Sequence, residues 1–299
     1  MTVIPSWLRS AGQAANLVSG RAELWLPGAI AALAYLGWLP LVLAVSPFPR
    51  TSDLVFLGTG LVSSSIFPLN VLMIGAVIAA VVLLACAAAA FGEAAVQRGI
   101  AEEPSSGALR DTAASVYAII LVVAMPVAIV LAALAIRLAG IAPDAVTTPD
   151  IGGSLAVRLA SALLPFLVAL AVVLLFAQAL GVAAMRRASG SDRSRPGAAL
   201  WNGLGDLLRR PGRRLAIAFA IALVDLVAFV LTLWLLRTLW TPIGQDLARG
   251  LLASPLTVVL LAGFVMVWLV LVIAAGALHA WGSAWWSLEL AQPGDESRA

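Results

Sequence analysis

LAIAFAIALVDLVAFVLTLWLL, residues 215–236, is apolar or uncharged at every position but one. At 1.5 Å of rise per helical residue such a run spans about 33 Å, enough to cross a hydrocarbon core of roughly 30 Å. The exception is Asp225, ten residues in. A carboxylate at that depth costs at least about 2.5–3.5 kcal/mol on insertion scales. It must therefore be paired, reach water, or be neutralised by a proton. One segment thus fixes the solvent and marks a candidate site.

The rest of the chain agrees about the solvent. Hydrophobic residues make up 62% of the 299 positions and charged residues 11%, against about 25% charged in a soluble domain. That is more apolar surface than a soluble core can hide, so the solvent is lipid. All 18 basic residues are arginine, against 15 acidic ones, for a net charge of +3. We read the missing lysine as codon bias of a GC-rich genome; it also removes lysine nucleophiles, Schiff-base cofactors and Walker-type phosphate sites. The sequence pI near 10 reflects one arginine-rich loop and does not argue for nucleic acid. Cys86 is the single cysteine, so no internal disulfide forms. Arg9, Arg21 and Glu23 interrupt the first stretch, which predicts no cleaved signal.

Six segments are long enough to span: 24–45, 70–91, 116–138, 159–184, 215–236 and 256–281. An open sheet would leave backbone groups unpaired in lipid, so the expectation is an all-α transmembrane bundle of six helices in one membrane domain, 1–299. Arginines on alternate sides decide orientation. One side carries Arg9, Arg21, Arg98, Arg110, the 185–214 loop and Arg298; the other has only Arg50, Arg137, Arg158, Arg237 and Arg249. The positive-inside rule then places both termini in the cytoplasm. On the outer side, LVFLGTGLVSSSIF (54–67) has the length of an interfacial or re-entrant segment. PIGQDLARGLLASP (242–255) puts Ile243, Leu247 and Leu251 on one face, which predicts an amphipathic helix lying on the outer surface.

A repeat underlies the spans. FGEAAVQRG (91–99), LGVAAMRRA (180–188) and WGSAWWSLE (281–289) share a glycine and, two residues on, an alanine. NLVSGRAELWLPGAIAAL (16–33) aligns without gaps with DLLRRPGRRLAIAFAIAL (206–223), while the segment before 116 has no convincing copy. The pattern predicts three related hairpins with cytoplasmic amphipathic elbows, the small residues letting helices approach closely. In the elbow GAALWNGLGDLLRRPGRR (197–214), Leu200, Trp201, Leu204, Leu207 and Leu208 share one side of a helix that Pro211 and Gly212 end. An interfacial helix of this kind presents Trp201, Arg209, Arg210, Arg213 and Arg214 to anionic lipid headgroups.

Counting inward from the membrane edges puts Tyr35 and Gln178 at the depth of Asp225, as hydrogen-bond partners in an intramembrane polar cluster. His279, the only histidine, lies near the cytoplasmic face, where a pair with Glu93 is open to it. Metal sites need three or four ligands, and none is expected. Trp25, Trp38, Trp240, Trp281, Trp285 and Trp286 are expected as interfacial anchors. No GxSxG, HExxH, P-loop or paired-carboxylate constellation occurs.

WNGLGDLLRRPGRRL (201–215), RAELWLPGAIAALAYLGWLPLVLAV (21–45) and AWGSAWWSLEL (280–290) resemble segments of uncharacterised bacterial six-span membrane proteins. Those proteins are similar to the membrane domain fused to some glycerophosphodiester phosphodiesterases. The resemblance covers nearly the whole chain and implies a bacterial cytoplasmic membrane. It carries over no catalytic residue, and the metal-binding barrel of the enzyme part is absent from this sequence. The expectation is a non-enzymatic multi-pass protein with a structural, accessory or lipid-interacting role and no cofactor. It would work with a membrane-protein partner or a second copy. The alternative is a transporter or permease subunit with Asp225 in the substrate or proton path.

Overall fold

The computed structural model describes residues 6–46, 60, 63–101, 107–147, 155–189, 195–250 and 254–291. Among these the secondary structure is helical throughout. In chain order it comprises α1 (Ser6–Ser19), a 3₁₀ turn (Ala22–Leu24), α2 (Trp25–Ala32), a π turn (Leu33–Gly37), α3 (Leu39–Val45), α4 (Leu69–Ala101), α5 (Gly107–Thr147), α6 (Leu155–Ser189), α7 (Pro196–Arg209), α8 (Pro211–Ala248) and α9 (Pro255–Ala291). Five of these are long and apolar enough to cross a membrane, at Leu69–Ala101, Leu109–Arg137, Ser161–Ser189, Pro211–Ala248 and Pro255–Ala291. The most apolar stretches of these helices are at most 17% buried inside the protein. Side chains this greasy and this exposed require lipid around them. The expected run 54–67 lies mostly outside the described residues.

The first expected span is broken. Ala22–Tyr35 and Leu39–Val45 meet at 59°, so the spans number five, or six if this bent pair counts as one. The break has identifiable causes. Pro40 opens α3 without an N–H to donate, and the chain loosens into a π turn just before it.

The chain divides into two compact units, Met1–Ala113 with Leu223–Glu289, and Ala114–Ala222 with Leu290–Ala299. In the first, α2 packs on two long helices through glycine. A Cβ on Gly28 or on Gly276 would land on the backbone of the other helix, and one on Gly92 of α4 would come within 2.7 Å of the Pro27 carbonyl oxygen. Close backbone approach of this kind replaces a hydrophobic force that lipid does not supply. Away from these glycines, Ala44, Leu236, Ile243 and Phe264 form a buried cluster, with Leu247 and Trp240 packed on it. This corrects the expectation for 242–255. The apolar stripe is real, but α8 runs unbroken through Pro242 to Ala248 and turns Ile243 and Leu247 into protein. Asp246 accepts a hydrogen bond from Thr257 at 3.0 Å, tying this end of α8 to the start of α9.

In the second unit α7 lies on the C-terminal part of α6. Ala199, Gly203 and Leu207, at four-residue spacing, are its buried face. A Cβ on Gly203 would sit 2.9 Å from the Ala184 backbone nitrogen.

Two short helices share the offset of the gapless alignment. α1 and α7 are both 14 residues long and correspond end to end at a constant offset of 190 residues, Ser6 to Pro196 and Ser19 to Arg209. It is the offset of the gapless alignment 16–33 with 206–223. Each glycine–alanine motif receives a short helix: α2 on 91–99, α7 on 180–188 and α1 on 281–289. Ala94, Ala183 and Ala284 are all buried there.

Candidate functional site

The arginine-rich elbow is built on α7 and its flanks in the second unit. With Ala199, Gly203 and Leu207 turned into α6, the remaining apolar residues of α7 face outward. Trp201 is 75% and Leu208 63% exposed. The expected single apolar face is therefore two adjacent faces, one for protein and one for lipid. A third, polar face carries Asn202, Asp206 and Arg209. Arg187, from the end of α6, grips Asp206 bidentately, Nε to Oδ2 at 2.9 Å and Nη2 to Oδ1 at 3.0 Å. Arg209 approaches the same carboxylate at 3.8 Å. Arg186 lies within electrostatic reach of Arg187, Arg214 and Asp206. One carboxylate thus sits among three guanidinium groups, those of Arg187, Arg209 and Arg186, leaving an excess of positive charge. An open groove of about 330 Å³ runs here, lined by Arg187, Trp201, Asn202, Gly205, Asp206 and Arg209.

The expected headgroup contacts separate on this geometry. Trp201, Arg209 and Arg210 are exposed, whereas Arg213 and Arg214 are half-buried and hold nitrogens away from solvent. Arg187 and Asp206 are the residues sequence reasoning missed. They lie nineteen positions apart in the sequence, so no helical spacing connects them in advance.

The intramembrane cluster expected around Asp225 is rearranged. Asp225 is exposed on α8 and makes no hydrogen bond among the described residues. Tyr35 does not bond it: the tyrosine ring lies 5.9 Å from the His279 ring instead. The π turn carries Tyr35, so its direction is set by the break in the first span. Gln178 belongs to the second unit, half-buried on α6. What the first unit brings together is Glu93 of α4 and His279 of α9, with Glu93 Oε1 2.6 Å from His279 Nε2. Asp225 acts on the same imidazole through space. One turn beyond Glu93, Ser287 donates to Gln97 Oε1 at 3.1 Å, and Ser10 of α1 donates to Glu289 Oε1 at 2.6 Å. The tryptophans of α9 are not lipid anchors. Trp285 and Trp286 are buried, and Trp281 and Trp285 donate to the carbonyls of Ala11 and Trp7, each at 3.1 Å.

Long apolar helices whose outward faces are greasy, with polar side chains gathered between helices, define an all-helical multi-pass membrane protein. Comparison with family models, curated proteins and solved structures returns no match to this chain.

Proposed function

We propose that this protein is a non-enzymatic, six-span component of the bacterial cytoplasmic membrane, built of three related hairpins, that engages anionic lipid headgroups through its arginine-rich elbow. In this reading both termini and the elbow face the cytoplasm, where the arginine excess lies, and the bent first segment counts as one span. The observation that carries the reading is the division of α7 into three faces. Its small-residue face seats it on α6, its Trp201–Leu208 face is free to enter the lipid boundary, and its polar face opens on a groove of excess positive charge. Guanidinium groups match phosphate oxygens in planar, two-pronged fashion, and each arginine near an anionic surface contributes about 1 kcal/mol. The role is structural or accessory, exercised with a membrane-protein partner or a second copy. The resemblance of 201–215 to the membrane domains associated with glycerophosphodiester phosphodiesterases points the same way, toward lipid rather than a soluble substrate.

Reconstitution of the full chain in nanodiscs of mixed phosphatidylglycerol and phosphatidylcholine tests this. Native mass spectrometry should find phosphatidylglycerol enriched among retained lipids. The double substitution Arg209→Gln, Arg210→Gln should reduce that enrichment by about tenfold. Equal retention of the two lipids by the unaltered protein would end the proposal.

A further inference from the structure

Asn202, Gly205, Asp206 and Arg209 stand at i, i+3, i+4 and i+7 on α7, so one side of the helix carries all four. Gly205 is the gap in that side. Nothing lies within 4 Å of a Cβ placed on it, and the groove of about 330 Å³ has this glycine in its wall. At 1.5 Å of rise per residue, Asn202 precedes Arg209 by about 10 Å along the helix. The two ends of the groove therefore differ in chemistry. Toward the end of α7 stand the guanidinium groups of Arg209 and Arg187, both within 4 Å of the Asp206 carboxylate. Toward its start stands a neutral amide, which is exposed and holds no hydrogen bond among the described residues.

These two ends select a ligand. Guanidinium groups take phosphate oxygens. The Asn202 amide both donates and accepts, which is what a hydroxyl needs from its partner. An ammonium group has no counterpart here, because both Asp206 oxygens are held by Arg187 and that side chain is only 14% exposed. The volume is at the small end of ligand sites, fit for a headgroup without its acyl chains. Trp201 lines the groove and is also 75% exposed beside Leu208, so an apolar surface for the chains begins at the groove's edge. We propose, resting on the lipid-binding role above, that the groove is a selective site for a hydroxyl-bearing phosphodiester headgroup of a membrane lipid. The phosphate lies against Arg209, the hydroxyl against the Asn202 amide, and Gly205 leaves the room between them. Diffuse attraction to negative charge would make no distinction among anionic lipids; this site does.

Phosphatidylglycerol and phosphatidylmethanol separate the two cases, since both are singly charged phosphodiesters and only the first carries hydroxyls. In nanodiscs holding equal amounts of both with phosphatidylcholine, the full chain should retain phosphatidylglycerol over phosphatidylmethanol by about three- to tenfold, the worth of one hydrogen bond. Asn202→Ala and Gly205→Leu should each abolish that preference without changing the charge of the elbow. Asn202 is exposed and Gly205 has open space around it, so neither substitution disturbs packing. Equal retention of the two anionic lipids, both above phosphatidylcholine, would overturn the selective site and leave the general affinity for anionic lipid standing. A preference that survives either substitution would overturn it as well. Glycerophosphoglycerol, the same headgroup without chains, should leave the enrichment unchanged at millimolar concentration, because lipid confined to the disc is far more concentrated. Displacement by it would overturn the assignment to a membrane lipid.

Discussion

α1 and α7 are the same length, lie 190 residues apart along the chain and dock on similar glycine–alanine motifs, yet they are held by different physics. α1 is pinned by directed hydrogen bonds, two indole N–H groups onto its carbonyls and Ser10 onto Glu289, with Trp7 stacked on Trp285 at a centroid distance of 6.0 Å. α7 is seated by backbone proximity at Gly203 and by one arginine–aspartate grip. The difference follows from what each must leave free. A helix held through its small residues keeps its large and charged side chains available. α7 and the junction that follows it accordingly present Trp201, Arg209 and Arg210 outward, whereas the tryptophans around α1 are spent on holding it. One scaffold element has become an anchor and its counterpart a surface.

Glycine substitutions offer the sharpest way to break this comparison. Gly203→Leu should destabilise the protein by about 3 kcal/mol, because the new side chain meets the α6 backbone. Gly12→Leu, in α1, should change stability by less than about 0.5 kcal/mol, since nothing lies within 4 Å of a Cβ there. Thermal unfolding in a single detergent separates the two. If Gly12→Leu were the more damaging, the assignment of backbone packing to α7 and hydrogen bonding to α1 would be reversed.

A smaller effect is expected from the anchor. Ser10→Ala removes a donor to a carboxylate that is 3% exposed, and should cost about 1–2 kcal/mol. Hydrogen exchange of α1 amides should rise while that of α7 stays unchanged. Loss of protection in both helices together would show that they are not independent attachments.

Asp206→Asn should change stability only slightly. Its partner Arg187 is about half exposed, and pairs of this kind contribute less than about 1 kcal/mol. Removing the carboxylate nevertheless frees guanidinium groups in the groove, so phosphatidylglycerol retention should rise severalfold. A fall in retention would mean that Asp206 positions the arginines for the headgroup rather than competing with it.

Much of this was legible locally. Every expected span overlaps a helix or the bent pair, because crossing apolar lipid demands length and hydropathy that a window of sequence displays directly. The elbow was legible for the same reason, since an amphipathic interval ended by Pro211 and Gly212 marks it. What local pattern does not carry is which apolar surface a stripe will meet. Ile243 and Leu247 have the spacing of an interfacial helix but pack on Ala44 and Phe264. The stripe on α7 is shared between protein and lipid, and the α9 tryptophans serve a neighbouring helix. Periodicity states that a face is apolar and leaves open whether its partner is protein or bilayer.

By itself the sequence determined the solvent, the helical class, where along the chain the long helices lie and the alignment of 16–33 with 206–223, all consequences of residue type along a single axis. The tertiary structure decided the partners of the polar side chains. It set His279 against Glu93, Tyr35 against His279 and not Asp225, and Asp206 against Arg187. Those choices depend on how helices rotate against one another, and glycines such as Gly28, Gly92, Gly203 and Gly276 fix that rotation by how near two backbones can come. A linear chain shows where its glycines are, but the helix that each one admits is known only once the helices have packed.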